Sequence, residues 1–196
     1  MVLAAEDEEE GSSSLTACPI LVTERLVMRP PHGDDVPDLA RLAASRRIAE
    51  MLARMPHPYG EAEAEAFVAA SAARADGCVY ALTLGDNGAF IGCAALNAVP
   101  HGLELGYWIG EAWWGRGYAT EAAHALVDHG FRASEVRLVQ ASCRVINPAS
   151  RRVIQKCGFH YVGQGMIHSL AAGRVAVERY VLDRKTWASL KSWAAA

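Results

Sequence analysis

Residues 103–122 read LELGYWIGEAWWGRGYATEA, and this stretch decides the fold. Its first half alternates with the period of a β-strand. One face would carry Leu103, Leu105, Tyr107 and Ile109, and the other would carry Glu104, Gly106, Trp108 and Gly110. The alternation predicts a strand with one packed face and one face open to a ligand.

The second half predicts a helix that begins near Gly117. Apolar residues recur behind the turn at helical spacing: Ala119, Ala122, Ala123, Leu126, Val127, Gly130 and Phe131. The first amides of a helix have no intrahelical partner and lie at the positive end of its dipole, so they can bind an anion. Small residues at 115, 117 and 119 would let a phosphate approach the main chain. The turn therefore predicts a phosphate site.

Two familiar glycine-rich loops are excluded. A dinucleotide fingerprint needs a small residue where Thr120 stands, and a Walker loop needs Gly-Lys-Ser/Thr. The stretch instead resembles the pyrophosphate loop of the GNAT acetyltransferases, Gln/Arg-x-x-Gly-x-Gly/Ala, with Gly117 and Ala119 in the small-residue places. Trp114 occupies the first place. This departure, within the wording WGRGYATEA, resembles the branch of bacterial ribosomal-protein N-terminal (alanine/serine) acetyltransferases.

A second motif supports the same resemblance. Residues 147–159 are similar to the family's Asn-x-x-Ser/Ala helix that ends in Lys-x-Gly-Phe. The local chemistry fits a helix, since Asn147 can cap it, Pro148 suits the first position and Gly158 suits the left-handed position after the end. Residues 20–30 and 55–59 also resemble that branch. The resemblance covers roughly residues 20–187.

Length and composition predict one folded domain behind a tail. A chain of 196 residues, 52% hydrophobic and 21% charged, is long enough for one core and short for two. Residues 6–10 are all acidic and residues 11–14 are glycine and serine, so we expect a disordered acidic tail over 1–18 and a single domain over 19–196. Without those five acids, 19 basic residues face 17 acidic ones, and this near-neutral body predicts no nucleic-acid partner.

Other classes of site and location are disfavoured as well. Acids follow Met1, and no apolar run approaches the roughly 20 residues that span a bilayer, so we expect a cytoplasmic protein with no membrane partner. The seven histidines lack zinc-site spacing, which predicts no metal. An odd number of cysteines without a Cys-x-x-Cys pair favours reduced, mostly buried thiols. They are Cys18, Cys78, Cys93, Cys143 and Cys157.

The element pattern predicts an α/β (α+β) fold. We expect strands over 20–29, 78–84, 89–99, 103–110, 136–143, 159–167 and 173–182. We expect helices over 34–52, 61–75, 117–132 and 148–157, and a short one from 184. The resemblance implies a GNAT-like mixed, partly splayed sheet with helices on both faces. It places the cofactor where the strand ending at Gly110 and the strand starting at Val136 diverge.

The resemblance implies acetyl-CoA as cosubstrate. The strand main chain would pair with the pantetheine amides, and the loop would take the pyrophosphate. Arg116 either adds a charge to the phosphates or is a solvated loop residue, and Asn147 either contacts pantetheine or only caps its helix. The predicted cofactor-binding residues are Trp108, Ile109, Gly110, Trp114, Gly115, Arg116, Gly117, Tyr118, Ala119, Thr120 and Asn147.

Two residues are candidates for catalysis. Glu104, on the open strand face, can take a proton from the attacking amine, or it is merely a solvent-facing residue. Many family members have a tyrosine acid seven places after the asparagine, where this chain has Ile154. The branch it resembles implies Ser150 near the cofactor sulfur instead. A serine in a first helical turn is also commonly a local backbone partner.

The predicted reaction is acetyl transfer from acetyl-CoA to a primary amine by direct attack, without a covalent enzyme intermediate. The resemblance to the ribosomal-protein branch implies a protein or peptide N-terminus as the acceptor. The alternative acceptor is a small amine such as an amino acid, polyamine or antibiotic. A catalytically silent acyl-CoA-binding module is the alternative from another class. Whether the chain forms a homodimer stays open.

Overall fold

A computed structural model describes Leu15 and residues 18–194. Its strands are β1 (Leu21–Val22), β2 (Leu26–Arg29), β3 (Gly77–Leu84), β4 (Phe90–Val99), β5 (Gly102–Ile109), β6 (Leu138–Arg144), β7 (His160–Ser169) and β8 (Gly173–Asp183). Its α-helices are α1 (Val36–Ala43), α2 (Arg46–Ala49), α3 (Glu61–Ala72), α4 (Tyr118–Ala133), α5 (Pro148–Lys156) and α6 (Arg184–Ala194). Apart from two elements that are split, the predicted bounds hold within about three residues.

The eight strands form one mixed sheet in the order β1-β2-β3-β4-β5-β6-β8-β7. Every neighbouring pair is antiparallel except β5 and β6, which are joined through the α4 crossover and run parallel. This parallel pairing has three register pairs, from Leu103↔Val139 to Leu105↔Ala141. Beyond them the two strands part, which confirms the splayed sheet.

Helices cover both faces of the sheet. On one face, α4 and α5 bury Leu126 and Ile154 in the same cluster as Leu103 and Leu105 of β5. On the other face, α1–α3 form a second cluster against β3 and β4. The predicted packed face of β5 is confirmed, because Leu103, Leu105 and Ile109 are buried.

The predicted strand over 20–29 is two strands that pair with each other. The chain turns at Thr23–Arg25, where the Glu121 carboxylate accepts hydrogen bonds from Thr23 Oγ1 (2.6 Å) and the Arg25 amide (2.8 Å). The turn is thus stabilised by Glu121, which is nearly one hundred residues away in sequence. Local strand propensity does not indicate such a distant contact.

The predicted helix over 34–52 is also divided. Helix α1 ends at Ala43, and Ser45 begins α2 by accepting a hydrogen bond from the Ile48 amide. The Ser45 hydroxyl donates to Glu111 Oε1 at 2.5 Å. Ser45 is therefore an N-cap held by a distant carboxylate, and α2 is a separate short helix.

The cysteine prediction is wrong for two of the five residues. Cys18 and Cys78 form a disulfide, because the segment before β1 runs beside the start of β3 and brings their Cα atoms within 5.4 Å. Cys93, Cys143 and Cys157 are free and buried, as expected.

The predicted acidic tail lies outside the described residues except for Leu15 and Cys18, and it stays a prediction. Leu15 is buried in the core, at 2% exposure. Within the described chain, no helix is long and apolar enough to cross a bilayer. The same residues contain no group of three or more His, Cys, Asp or Glu side chains placed to hold a metal ion.

Candidate active site

A cleft of about 510 Å³ opens where β5 and β6 part, and we call it the β5–β6 cleft. From Gly106 onward, no register pair joins the described residues of the two strands. The facing edge of β5 therefore presents N–H and C=O groups to anything that lies in the gap. A Cβ built on Gly106 would meet no atom within 4 Å, so the space over this face of the strand is open as well.

Residues 114–120, here called the phosphate loop, form one end of this cleft. Gly115 (φ 76°) and Gly117 (φ 86°) both adopt the left-handed conformation that favours glycine, and α4 begins directly after Gly117. Within the described chain, no acceptor pairs with the backbone amides of residues 115–119. Their orientation at a helix N-terminus suits a phosphate group.

Glu121 and Arg25 hold the phosphate loop in place. Arg25 donates from Nε to the Glu121 carboxylate (2.7 Å) and from Nη1 to the carbonyl of Arg116 (2.9 Å). Burial disfavours the charged form of Glu121, but the hydrogen bonds from Thr23 and Arg25 outweigh it and lower the pKa of this carboxyl below its usual value. Glu121 is thus an ionised, paired carboxylate behind the loop.

Helix α2 contributes a cation to the rim of the cleft. The Arg47 guanidinium pairs with Glu111 and lies 4.8 Å over the Trp114 ring. Trp114 in turn donates from Nε1 to the carbonyl of Ile109 at 2.6 Å. With Arg152 and Lys156, Arg47 gives the cleft three basic side chains, and the described residues place no carboxylate on its lining. This charge distribution favours an anionic ligand.

Ser150 faces the cleft from the first turn of α5. Its Oγ lies 2.9 Å from the Tyr107 hydroxyl, which also donates to the Ser150 carbonyl at 3.2 Å. Burial raises the pKa of Tyr107, so the phenol is neutral and can donate. The Asn147 side chain accepts from the Ser150 amide at 3.0 Å, so Asn147 does cap α5. The Ser150 hydroxyl, by contrast, bonds across to β5.

A second cavity of about 420 Å³, the α1–α3 cavity, adjoins the cleft on the face that those helices cover. The two spaces share residues 105–108 of β5 and residues 142–143 of β6. Glu104 lines the α1–α3 cavity, with Oε2 3.5 Å from Arg54 Nη2 and 32% of its side chain exposed. Because an exposed pair at this distance is weak, the carboxylate is available to a ligand.

Comparison with known proteins identifies the family. A family model described as an acetyltransferase (GNAT) domain matches residues 25–160. The chain belongs to the GNAT acetyltransferase family. The ribosomal-protein-serine acetyltransferase of Escherichia coli (strain K12) is 39% identical over 56 residues, which is 29% of this chain and 31% of that protein. The chain spans about a third of the length of the curated relatives it matches.

Solved GNAT structures show the same fold. An acetyltransferase (GNAT family) from Bacillus anthracis superposes with a TM-score of 0.76 at 20% identity, covering 85% of this chain and 99% of that one. Mycobacterium smegmatis RimJ, solved in complex with CoA-disulfide, gives a TM-score of 0.74 at 19% identity, covering 86% of this chain and 89% of that one. At these identities the likeness concerns architecture.

Most of the predicted GNAT site residues meet around the β5–β6 cleft. Those that line it are Trp108, Ile109, Trp114, Gly115, Gly117, Tyr118, Ala119, Thr120, Asn147 and Ser150. Gly110 and Arg116 are not among the lining residues. The Gly110 amide bonds to the carbonyl of Ile91, and the Arg116 side chain is exposed. Glu104 lies in the adjoining cavity.

Sequence reasoning missed side chains that enter the site from distant segments. Tyr107 was expected on the packed face, and its ring does pack there, but its hydroxyl reaches Ser150. Arg47 carries no motif and arrives through the α2 turn. Arg144 of β6 lines the α1–α3 cavity. For these three residues, the sequence shows only a tyrosine or an arginine near apolar residues, and this pattern does not indicate a functional site.

Proposed function

We propose that this GNAT protein is an acetyl-CoA-dependent N-acetyltransferase that acts on primary amines. One observation carries the proposal: the β5–β6 cleft, with the phosphate loop at one end, opens directly into a cavity that carries Glu104. A donor held in the cleft and an acceptor held in the cavity would meet at the shared residues 105–108.

The cleft fits the cofactor through its main chain and its charge. The amides of residues 115–119 would bind the pyrophosphate, with Arg47, Arg152 and Lys156 supplying positive charge. The free edge of β5 at residues 106–109 would pair with the amides of pantetheine. Acetyl-CoA, when bound, supplies the activated acetyl group.

Glu104 is the proposed base. The attacking amine must be neutral, and a carboxylate in the α1–α3 cavity can accept its proton directly or through one water. The need for this base depends on the acceptor: an α-amine of pKa about 8 is about a tenth neutral at pH 7, whereas a lysine amine of pKa about 10.4 is almost wholly charged.

Ser150 and Tyr107 are proposed to stabilise the departing thiolate together. Tyr107 donates to the Ser150 carbonyl, and either hydroxyl can donate in the 2.9 Å contact between Tyr107 and Ser150. If Tyr107 donates in both contacts, the Ser150 hydrogen is free to bond to the sulfur. Complete proton transfer from Tyr107 is unfavourable, because the ordinary pKa of a tyrosine already exceeds that of a thiol and burial raises the pKa of Tyr107 further. Ser150 would therefore act as hydrogen-bond donor and Tyr107 as a positioning residue.

We further propose a peptide or protein N-terminus as the acceptor. The support is the similarity to the ribosomal-protein-serine acetyltransferase of Escherichia coli and the easier deprotonation of an α-amine. A small-molecule amine is the alternative acceptor.

The test is acetyl-CoA turnover with N-terminal peptides, polyamines and amino acids, followed by release of free thiol and by mass spectrometry of the product. We expect acetylated peptide to accumulate with equimolar free CoA. Tight CoA binding without transfer to any amine would instead identify a binding module.

A further inference from the structure

The α1–α3 cavity has more positive than negative side chains. The charged residues on its wall are Arg54, Arg74, Arg144 and Glu104. Much of the remaining wall is apolar, with Leu39, Met55, Tyr59, Phe67 and Ile167 among its residues. A cavity of about 420 Å³ thus holds three guanidinium groups and one carboxylate.

Two of these arginines already have polar partners. Arg74 donates from Nη1 to Asn97 Oδ1 (2.6 Å) and from Nε to Asp76 Oδ1 (3.1 Å). Arg54 lies 3.5 Å from Glu104, with 68% of its side chain exposed. Water and nearby carboxylates therefore compensate both charges.

Within the part of the chain that the structure describes, Arg144 forms no salt bridge with a carboxylate. The Glu50 carboxylate acts on it only through space and is itself bound by Arg46. Arg144 Nη1 donates to a neutral acceptor, the carbonyl of Glu50, at 2.6 Å. Its Nε is buried and meets no acceptor in the described chain. An unpaired buried donor is costly, more so on a charged group. A carboxylate that reaches the guanidinium from the cavity would supply a counter-charge and a charge-assisted hydrogen bond.

Arg144 also lies on the same face of the sheet as Glu104. In the β5–β6 register, Glu104 lies opposite Gln140. Because every second residue of a strand faces the same side, residues 140, 142 and 144 of β6 share the face of the sheet that carries Glu104. Ser142, two residues before Arg144, borders both the cavity and the cleft. An acceptor whose amine lies near Glu104 therefore has the Arg144 guanidinium on the same wall.

We propose that the α1–α3 cavity selects amine acceptors that also carry a carboxylate, and that Arg144 binds this carboxylate. The inference rests on the proposed function, because it names the acceptor class of that site. Two sources share the chemistry: a free amino acid, and a peptide with an acidic side chain next to its N-terminus.

The test compares matched acceptors that differ in one carboxylate. The pairs are the peptide amides Ala-Asp-Ala and Ala-Asn-Ala, and free alanine and alaninamide. In at least one pair, the peptide pair or the amino-acid pair, we expect the acceptor with the carboxylate to have a kcat/KM about 10- to 100-fold higher than its neutral partner. This is the usual range for a hydrogen-bonded charge pair. Arg144→Met should abolish this ratio and leave the KM for acetyl-CoA unchanged. The two acceptors of a pair differ in amine pKa, but this difference affects wild type and Arg144→Met equally. It therefore cancels when the kcat/KM ratios of the two proteins are compared.

Arg132→Met is the matched control, because Arg132 is exposed on α4 and lines neither space. It should leave the ratio unchanged. If circular dichroism shows that Arg144→Met does not fold, Arg144→Lys replaces it and should lower the ratio, since lysine lacks the planar fork.

Three results would overturn the inference. Acetyl transfer at equal rates within both wild-type pairs would remove the carboxylate selection and leave the proposed function intact. A raised KM for acetyl-CoA with an unchanged acceptor ratio in Arg144→Met would assign Arg144 to the cofactor. Failure to acetylate any amine would remove the proposed function, and the inference with it.

Discussion

The phosphate loop lines the β5–β6 cleft, the α1–α3 cavity adjoins that cleft, and the two regions are built in different ways. The loop is seven consecutive residues, 114–120, with two left-handed glycines, and the amides of residues 115–119 have no acceptor in the described chain. The cavity is made of side chains drawn from Leu39 through Val177. A site made of main chain is encoded by a short motif, whereas a site made of side chains is encoded only by the tertiary fold.

This difference separates two kinds of recognition. Backbone amides can bind the phosphates whichever side chains surround them, so the loop identifies the cofactor class from sequence. In our proposal the acceptor is recognised by residues that are scattered along the chain, such as Arg144 and Glu104, so the same motif is compatible with many acceptors. Substitutions in the phosphate loop and around the α1–α3 cavity can show whether the first behaves as a main-chain site and the second as a side-chain site.

The largest effect is expected for Gly117→Glu in the phosphate loop. A glutamate there places negative charge beside the phosphates and forces a side chain into a left-handed backbone position. We expect CoA affinity measured by calorimetry to fall at least about 100-fold, as several kcal/mol of like-charge repulsion implies. Gly88→Glu is the matched control, because Gly88 (φ 73°) is also left-handed but lies in the β3–β4 turn. Equal affinity losses in both variants would assign the effect to backbone strain.

Ser150→Ala tests the β5–β6 cleft, which Ser150 lines. Loss of its hydroxyl should lower kcat by about 10- to 100-fold with little change in the KM for acetyl-CoA, since the bond to sulfur forms as the thiolate develops. Steady-state kinetics and thermal unfolding would be measured together. Unchanged kcat between pH 6 and 9 would leave solvent as the only partner of the thiolate.

Glu104→Gln tests the α1–α3 cavity. The size of its effect on kcat/KM should depend on the pKa of the acceptor amine. For a lysine-like acceptor we expect about a tenfold loss of kcat/KM near pH 7, partly restored at higher pH as more of the amine becomes neutral. For an α-amine the loss should be smaller. The measurement is a pH–rate profile with both acceptors. Profiles that match the wild type for both would make Glu104 a solvent-facing residue with no catalytic role.

Tyr107→Phe should lower kcat about fivefold, as expected for one hydrogen bond that orients Ser150. In the Ser150→Ala background the same change should have almost no effect, because there is no hydroxyl left to orient. Tyr161→Phe, at an exposed tyrosine, is the control. Additive effects in the double variant would show that Tyr107 acts independently of Ser150.

The smallest effect concerns the anchor of the loop. The lowered pKa of Glu121 means that its contribution to stability is complete above the unfolded value of about 4.3 and is lost as the pH falls through the lower folded value. We expect Glu121→Gln to cost about 1 kcal/mol of unfolding free energy near pH 7, with the difference from wild type shrinking below about pH 4. Chemical denaturation across pH 3–7 measures it, with the exposed Glu24→Gln as control. A pH-independent difference would contradict the pairing.

The parts of the molecule that sequence predicted are those with local signals. Helix α5 was placed almost to the residue because its cap, Asn147, its first residue, Pro148, and its terminating Gly158 adjoin it in sequence. The alternation of β5 likewise predicted its packed and open faces. The strand and helix order, and the splay between β5 and β6, follow from these local patterns together with the family resemblance.

The parts it missed depend on contacts between distant residues. The β1–β2 turn needs Glu121, and the break before α2 needs Glu111. The bond from Tyr107 to Ser150 joins residues 43 positions apart, and the Arg144 bond to Glu50 spans 94. No periodicity or capping rule contains such information, so the side chains that depend on these contacts became visible only in three dimensions.

The Cys18–Cys78 bond makes the first part of the domain a covalent ring. The two cysteines are 60 residues apart, and the segment between them contains β1, β2 and α1–α3, the helices beside the α1–α3 cavity. A closure of this size removes chain entropy from the unfolded ensemble worth about 4 kcal/mol in the loop-entropy model. Arg25 and Arg47, which reach across to the phosphate loop, both belong to this ring. Helices α1–α3 therefore lie inside a covalently closed loop of the chain, while the phosphate loop lies outside it.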